Sequence, residues 1–120
     1  MLSETLTNRL FSGLSTAPEE KRQWLQRAFQ QLNKDLSLSG LPFIIPDHDD
    51  PALRLEALAR WLQDVSPAQL KQLLYCIDLP ESLNPTSSHE LAHLCVRRAL
   101  LKVWTRYHSR LVSDTPSDMF

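Results

Sequence analysis

The chain has 120 residues, 42% of them hydrophobic and 22% charged, with a formal net charge of −1. That suffices for one domain with its own core and is too short for two, and the balanced charge excludes both extended disorder and a bulk attraction to nucleic acid. No run of about 18 apolar residues occurs, so no membrane-spanning helix is expected.

The first eleven residues lack a basic start followed by an apolar block, so no secretory leader is expected. Ser3 is placed to cap a short helix over roughly residues 4–12 that buries Leu6, Leu10 and Phe11 and stops at Gly13. Thr16-Ala17-Pro18-Glu19 reads as a capping box with proline in the first turn. The helix it opens is expected to run to about Lys34, with Trp24, Leu25, Ala28, Phe29 and Leu32 facing a core.

Residues 36–50, LSLSGLPFIIPDHDD, break the helical pattern at Gly40, Pro42 and Pro46. An extended segment is expected there, draped over the helices and burying Phe43 with one isoleucine. The alternative is a docking strand, Phe43 to Ile45, that pairs with another chain.

Asp50 and Pro51 supply the cap and first position of the next helix, with Leu55, Leu58, Trp61, Leu62 and Val65 on one face. Ser66-Pro67-Ala68-Gln69 is another capping box. It opens a helix carrying Leu70, Leu73, Leu74 and Ile77, expected to stop near Asp78 because Pro80 excludes Leu79 from helical geometry. Cys76 and Cys95 sit among aliphatic residues and form no metal-like pair. Both are expected to be reduced, and the protein cytoplasmic.

A polar loop, residues 81–86, leads to the longest periodic segment, residues 87–112. At 1.5 Å per residue its helix is roughly 37 Å long, enough to cross a small domain. His89, His93, Val96, Leu100, Val103, Trp104, Tyr107 and Leu111 form the expected inward face, and Arg98, Lys102, Arg106 and Arg110 form a row opposite it. With its five arginines and lysines against Glu90, this helix is basic while the rest of the chain is acidic.

His89-Glu90-Leu91-Ala92-His93 matches the H-E-x-x-H pattern, in which two histidines one turn apart hold zinc and the glutamate activates its water. A third ligand is poorly supplied. His108 is about 22 Å further along the same helix, and Val96 and Ala99 stand where the extended motif needs glycine and histidine. Only His48, in Asp47-His48-Asp49-Asp50, is left as a donor. The same letters make a helix start, with Ser87 as cap and Glu90 reaching back to its amide. The Asp47–Asp50 run lacks the ligand period of a calcium loop and reads as the start of its own helix. The basic row lacks aromatic residues for base stacking and has no helix-turn-helix before it. It reads as a solvated face, or one paired with acidic neighbours.

Leu73-Leu74-Tyr75-Cys76-Ile77-Asp78-Leu79-Pro80-Glu81, then Glu90-Leu91-Ala92 and the spaced Arg98, Lys102 and Arg106, resemble a group of short bacterial helical proteins of uncharacterised function. Those share an L-L-Y-x-I-D-x-x-E turn and a basic closing helix. Cys76 departs from the pattern, which expects a basic residue there, and the resemblance implies no activity. It directs attention to Asp78, which is expected to pair with Arg97, Arg98 or Lys102 across the turn.

The expectation is therefore an all-α bundle of four to five helices around the long C-terminal one. A single helical domain spans 1–112, followed by a mobile tail, 113–120. The expected function is that of a non-enzymatic cytoplasmic interaction or accessory protein, without a cofactor. It would act through Arg98, Lys102, Arg106 and Arg110 or through Phe43, Ile44 and Ile45, on another protein or a second copy of itself. The alternatives are a zinc-dependent hydrolase using His89, Glu90 and His93, and nucleic-acid binding through the basic row.

Overall fold

The structure is a computed structural model that describes residues 8–14, 18–79 and 87–113, without the side chains of Pro18 and residues 109–113. Four helices stand among these residues: α1 (Pro18–Leu38), α2 (Pro51–Asp64), α3 (Pro67–Ile77) and α4 (Ser88–Ser113). A helical turn at residues 8–10 precedes them, and no strand occurs among the described residues. Thr16 and Ala17 of the expected capping box, Leu6, the 81–86 loop and the tail beyond residue 113 lie outside the described residues.

α4, at 26 residues about 39 Å long, is the axis of the bundle. It packs chiefly on α1 and α2, and α3 closes against α1 and α4. Phe29, Leu32 and Leu36 of α1, Leu58 of α2, Leu73 and Ile77 of α3, and Val96 and Leu100 of α4 are fully enclosed between them.

The helix starts follow local chemistry. Asp50 accepts the Ala52 amide at 3.0 Å, with Pro51 at the first helical position. Ser66 and Gln69 make the reciprocal capping box at 3.1 Å each way. Ser87 accepts the Glu90 amide at 3.1 Å, but the Glu90 carboxylate turns to Arg9 at 3.4 Å rather than back to the cap. So α4 has half of the expected box.

One helix stop differs from expectation, and a second falls where it was expected, near Asp78. α1 runs four residues past Lys34, because Leu36 extends the buried stripe and belongs to the helix. It ends in a Schellman motif, with Gly40 at φ 73°, the Gly40 amide on the Ser37 carbonyl and the Leu41 amide on the Leu36 carbonyl. α3 ends in the same motif, built on Asp78 at φ 70°, with the Leu79 amide on the Leu74 carbonyl. A left-handed aspartate thus makes the stop at the expected position, and Pro80 lies outside the described residues.

A non-glycine residue in that region is strained by roughly 1 kcal/mol or more, less for Asp than for Ala. Asp78 also accepts from Arg98 at 3.0 Å, but 75% of its side chain is exposed, and such pairs contribute only about 0.2–1 kcal/mol. The two effects separate in urea melts. Asp78→Ala is expected to lose about 1 kcal/mol, whereas Asp78→Gly is expected to hold or exceed wild-type stability. Equal losses in both variants would mean that the ion pair outweighs the backbone strain.

The connection from Ser39 to Asp50 is extended and alternates. Leu41 and Ile45 are buried, Phe43 is half-buried and stacks on Trp61 at 4.8 Å, and Pro42 and Ile44 face out. Asn33 of α1 pairs with the backbone of Ile45 as a neighbouring strand would. Its Oδ1 accepts the Ile45 amide at 2.7 Å, and its Nδ2 donates to the Ile45 carbonyl at 3.3 Å.

Candidate functional site

The inward arc of α4 is not centred where the large apolar residues suggest. Leu91, Ala92, His93, Cys95, Val96, Ala99 and Leu100 are buried and Val103 and Trp104 pack half-buried against the core, while Tyr107 is 44% exposed and the His89 side chain 57%. At 100° per residue the arc is displaced by about 80° from Leu100, towards the basic row. The cause is the small side chains of Ala92, Cys95 and Ala99, which let neighbouring helices approach closely. The Cys95 thiol is enclosed there, and burial pushes its pKa up to about 12.

The basic row is accordingly engaged inside the molecule. Arg98 donates to Asp78, and Lys102 donates to Asp35 of α1 and to the Cys76 carbonyl of α3, each at 3.1 Å. Arg106 donates to Gln31 at 3.1 Å. The Arg110 side chain lies outside the described residues. Arg97, not part of the row, donates to the carbonyls of Leu10 and Ser12 and so holds the N-terminal turn on α4. Arg98 and Lys102 thus pair with acidic neighbours, one of the two expectations for this row, while Arg106 keeps an exposed side chain.

The H-E-x-x-H residues are spread over three tasks. His89 Nε2 lies 2.7 Å from Glu56 Oε2 on α2, and that hydrogen bond holds the Glu56 carboxyl below its ordinary pKa. Glu90 pairs with Arg9. His93 is turned inward and 8% exposed, with no partner for Nδ1 among the described residues. His48 Nδ1 accepts the Asp50 amide at 2.9 Å, on the connection. Among the described residues no three His, Cys, Asp or Glu side chains are grouped to hold one metal ion. The geometry instead gives His89 a strut to α2 and His93 a place in the core.

Burial lowers the His93 pKa, the charges of Arg9 and Arg97 lower it further, and Glu90 opposes them. The unfolded chain therefore binds a proton near pH 6.5 that the folded chain refuses until a lower pH, and stability falls as pH drops through that window. Wild-type protein is expected to lose urea midpoint between about pH 6.5 and 5 relative to His93→Leu. Glu56 acts lower, since its contribution disappears only as pH falls through its depressed carboxylate pKa. Parallel curves for wild type and His93→Leu above pH 5 would remove the His93 effect.

With the basic row engaged, the free cations of the described surface lie elsewhere. Arg27 and Lys34 of α1, seven residues apart and thus on one helical line, have no carboxylate at ion-pair distance among the described residues. Exposed Leu38 continues that line. Arg27 lies over the Trp24 ring at 5.0 Å, and Trp24 meets Trp104 and Tyr107 at 4.9 and 5.2 Å. Arg27, Lys34, Val103 and Tyr107 border a groove of about 470 Å3 between α1 and α4. Of the segment Phe43 to Ile45, only Ile44, 75% exposed, is free to meet a partner.

Sequence reasoning passed over three residues that organise this surface. Arg54 is buried in α2 one turn before Leu58, Asp35 receives Lys102, and Asn33 holds the connection. Arg54 had a signal, its place four residues before a core leucine. Asn33 and Asp35 are ordinary polar residues until the elements they meet are known.

No protein-family model, curated protein or solved structure matches the chain.

Proposed function

We propose that this chain is a small, non-enzymatic, cytoplasmic interaction protein that docks an acidic, partly apolar stretch of another protein along the Arg27–Lys34–Leu38 line of α1. What supports this most is a division among the cations. Arg97, Arg98, Lys102 and Arg106 have acceptors within the molecule, whereas Arg27 and Lys34 face outward beside a groove edged with Tyr107 and Val103. Unneutralised charge steers an oppositely charged partner, and an aromatic edge gives it an anchor. The two free thiols, Cys76 and Cys95, accord with a reducing compartment. The bacterial kinship suggested by residues 73–106 belongs to the same proposal and adds no activity.

The test uses three labelled probes of equal length: a glutamate–leucine peptide, a lysine–leucine peptide and oligothymidylate. The acidic peptide is expected to bind and to be weakened about tenfold or more by Arg27→Glu with Lys34→Glu, both surface changes. Tighter binding of oligothymidylate would transfer the groove to nucleic acid. Acidic-peptide binding that the double variant leaves unchanged, or no binding at all, sinks the proposal. Mass measurements across protein concentration test a second copy as occupant, since a self-association lost in the double variant would replace the acidic partner.

A further inference from the structure

A second groove, which meets the first along Arg27 and Gln30 of α1, contains a charge that the fold does not neutralise. Arg54 is 4% exposed. Its Nε donates to the Pro46 carbonyl at 3.0 Å and its Nη1 to Gln26 Oε1 at 2.9 Å, both uncharged acceptors. Its guanidinium lies 4.2 Å from the centre of the Phe29 ring. The carboxylate paired with it, Asp47, is 4.0 Å away on a side chain 86% exposed, where water screens the attraction. Burial outweighs that carboxylate and pulls the Arg54 pKa below its ordinary value. An enclosed cation without a close counter-ion is unfavourable unless an anion completes it.

The place for that anion is open. Arg54 lines a groove of about 820 Å3 between α1 and residues 47–51, a volume typical of small-molecule sites. Neither hydrogen bond described for Arg54 uses Nη2. Lys21, Arg22 and, at the edge shared with the first groove, Arg27 line it from α1, with Leu25 and Phe29 adding apolar surface. His48 also lines it, and because its Nδ1 accepts the Asp50 amide, a neutral ring carries its proton on Nε2 as a further donor.

We propose that this groove binds a small phosphate monoester, its oxyanion against Arg54 with Lys21, Arg22 and the Nε2–H of His48 as additional donors. Three cations suit a dianion better than a single carboxylate. Asp47 and Asp49 line the groove as well and disfavour a long polyanion such as a nucleic-acid backbone. They are suited to accept hydrogen bonds from hydroxyl groups on the organic part of the ester.

Backbone-amide NMR of the full chain, titrated with glycerol phosphate, inorganic phosphate, acetate and glycerol at matched ionic strength, tests this. Saturable shifts confined to residues 21–30 and 46–54 are expected with both phosphates, with glycerol phosphate the tighter. Arg22→Glu, on the exposed rim, is expected to weaken binding about tenfold while the free spectrum elsewhere is kept. Arg54→Lys keeps the charge without the guanidinium fork and is expected to weaken binding as well, its melting temperature being read alongside. Acetate acting as strongly as phosphate, an affinity unchanged in Arg22→Glu, or the lack of saturation each overturns the proposal. Lys34→Glu alone, at a residue that borders the docking groove but does not line this one, is expected to weaken acidic-peptide binding and leave phosphate binding in place, so the two proposals fail separately.

Discussion

Asp35→Ala is expected to lower the unfolding free energy by about 3–5 kcal/mol, the usual cost of removing one partner from a buried ion pair. Asp35 is 4% exposed, and both its carboxylate oxygens are engaged. Oδ2 accepts from Lys102 at 3.1 Å and Oδ1 from Gln31 at 3.0 Å. Without the carboxylate, the Lys102 ammonium keeps only the Cys76 carbonyl and stays largely enclosed as an uncompensated charge. Lys102→Met reverses the problem and leaves the carboxylate with Gln31. The double change Asp35→Leu with Lys102→Met is expected to recover most of the loss, because apolar groups of similar volume often replace a buried pair without net cost. Urea denaturation followed by tryptophan fluorescence measures all three. A loss below about 1 kcal/mol for Asp35→Ala would mean that water reaches the pair and that α1, α3 and α4 are not locked there.

The same pair shows where reading the sequence stops. Helix starts were legible, because Asp50-Pro51 and Ser66-Pro67-Ala68-Gln69 carry their own cap chemistry within four residues. The core of α1 was legible too, since Trp24, Leu25, Ala28, Phe29 and Leu32 repeat at the helical period. The orientation of α4 was not. Weighing side chains by size put His89 and Tyr107 inside with Trp104, and the arginines outside, whereas only Trp104 of the three packs against the core. The neighbours instead seat on Ala92, Cys95 and Ala99, where small residues permit close approach, and this turns Lys102 towards Asp35. Periodicity gives the presence of a face, but which part of it a neighbour occupies depends on residues far away in the chain.

The candidate site was less legible still. Arg98, Lys102 and Arg106 stood out because they are consecutive on one helix line, yet each has an acceptor on another helix or at its end. Arg27 and Lys34 did not stand out, since glutamines and acidic residues dilute α1 to an ordinary mixed surface. Their freedom depends on the absence of nearby carboxylates among the described residues, which no spacing along the chain encodes. The H-E-x-x-H residues point apart for a related reason. His89 and His93 are one turn apart, but the displaced arc places the first at the α2 border and the second inside.

Arg54→Ala is expected to cost about 3 kcal/mol, well above an ordinary surface substitution, through three losses that act together. The Pro46 carbonyl and Gln26 Oε1 lose their donors, and the Phe29 ring loses the cation over its face. The connection loses its tie to α2 one residue after Ile45, the residue that Asn33 fixes to α1. Removing the charge also removes its burial cost, which keeps the expected loss below the full sum of those contacts. Arg54→Lys separates the contributions, since an ammonium cannot donate in the fork that reaches both acceptors. It is expected to fall between wild type and Arg54→Ala in urea, with faster amide exchange concentrated in residues 43–50. Addition of phosphate should raise the midpoint of wild type more than that of either variant, because a ligand that binds only the folded chain stabilises it by mass action. A wild-type midpoint insensitive to phosphate, together with a loss below about 1 kcal/mol in Arg54→Ala, would show that the buried guanidinium neither holds the connection nor awaits an anion.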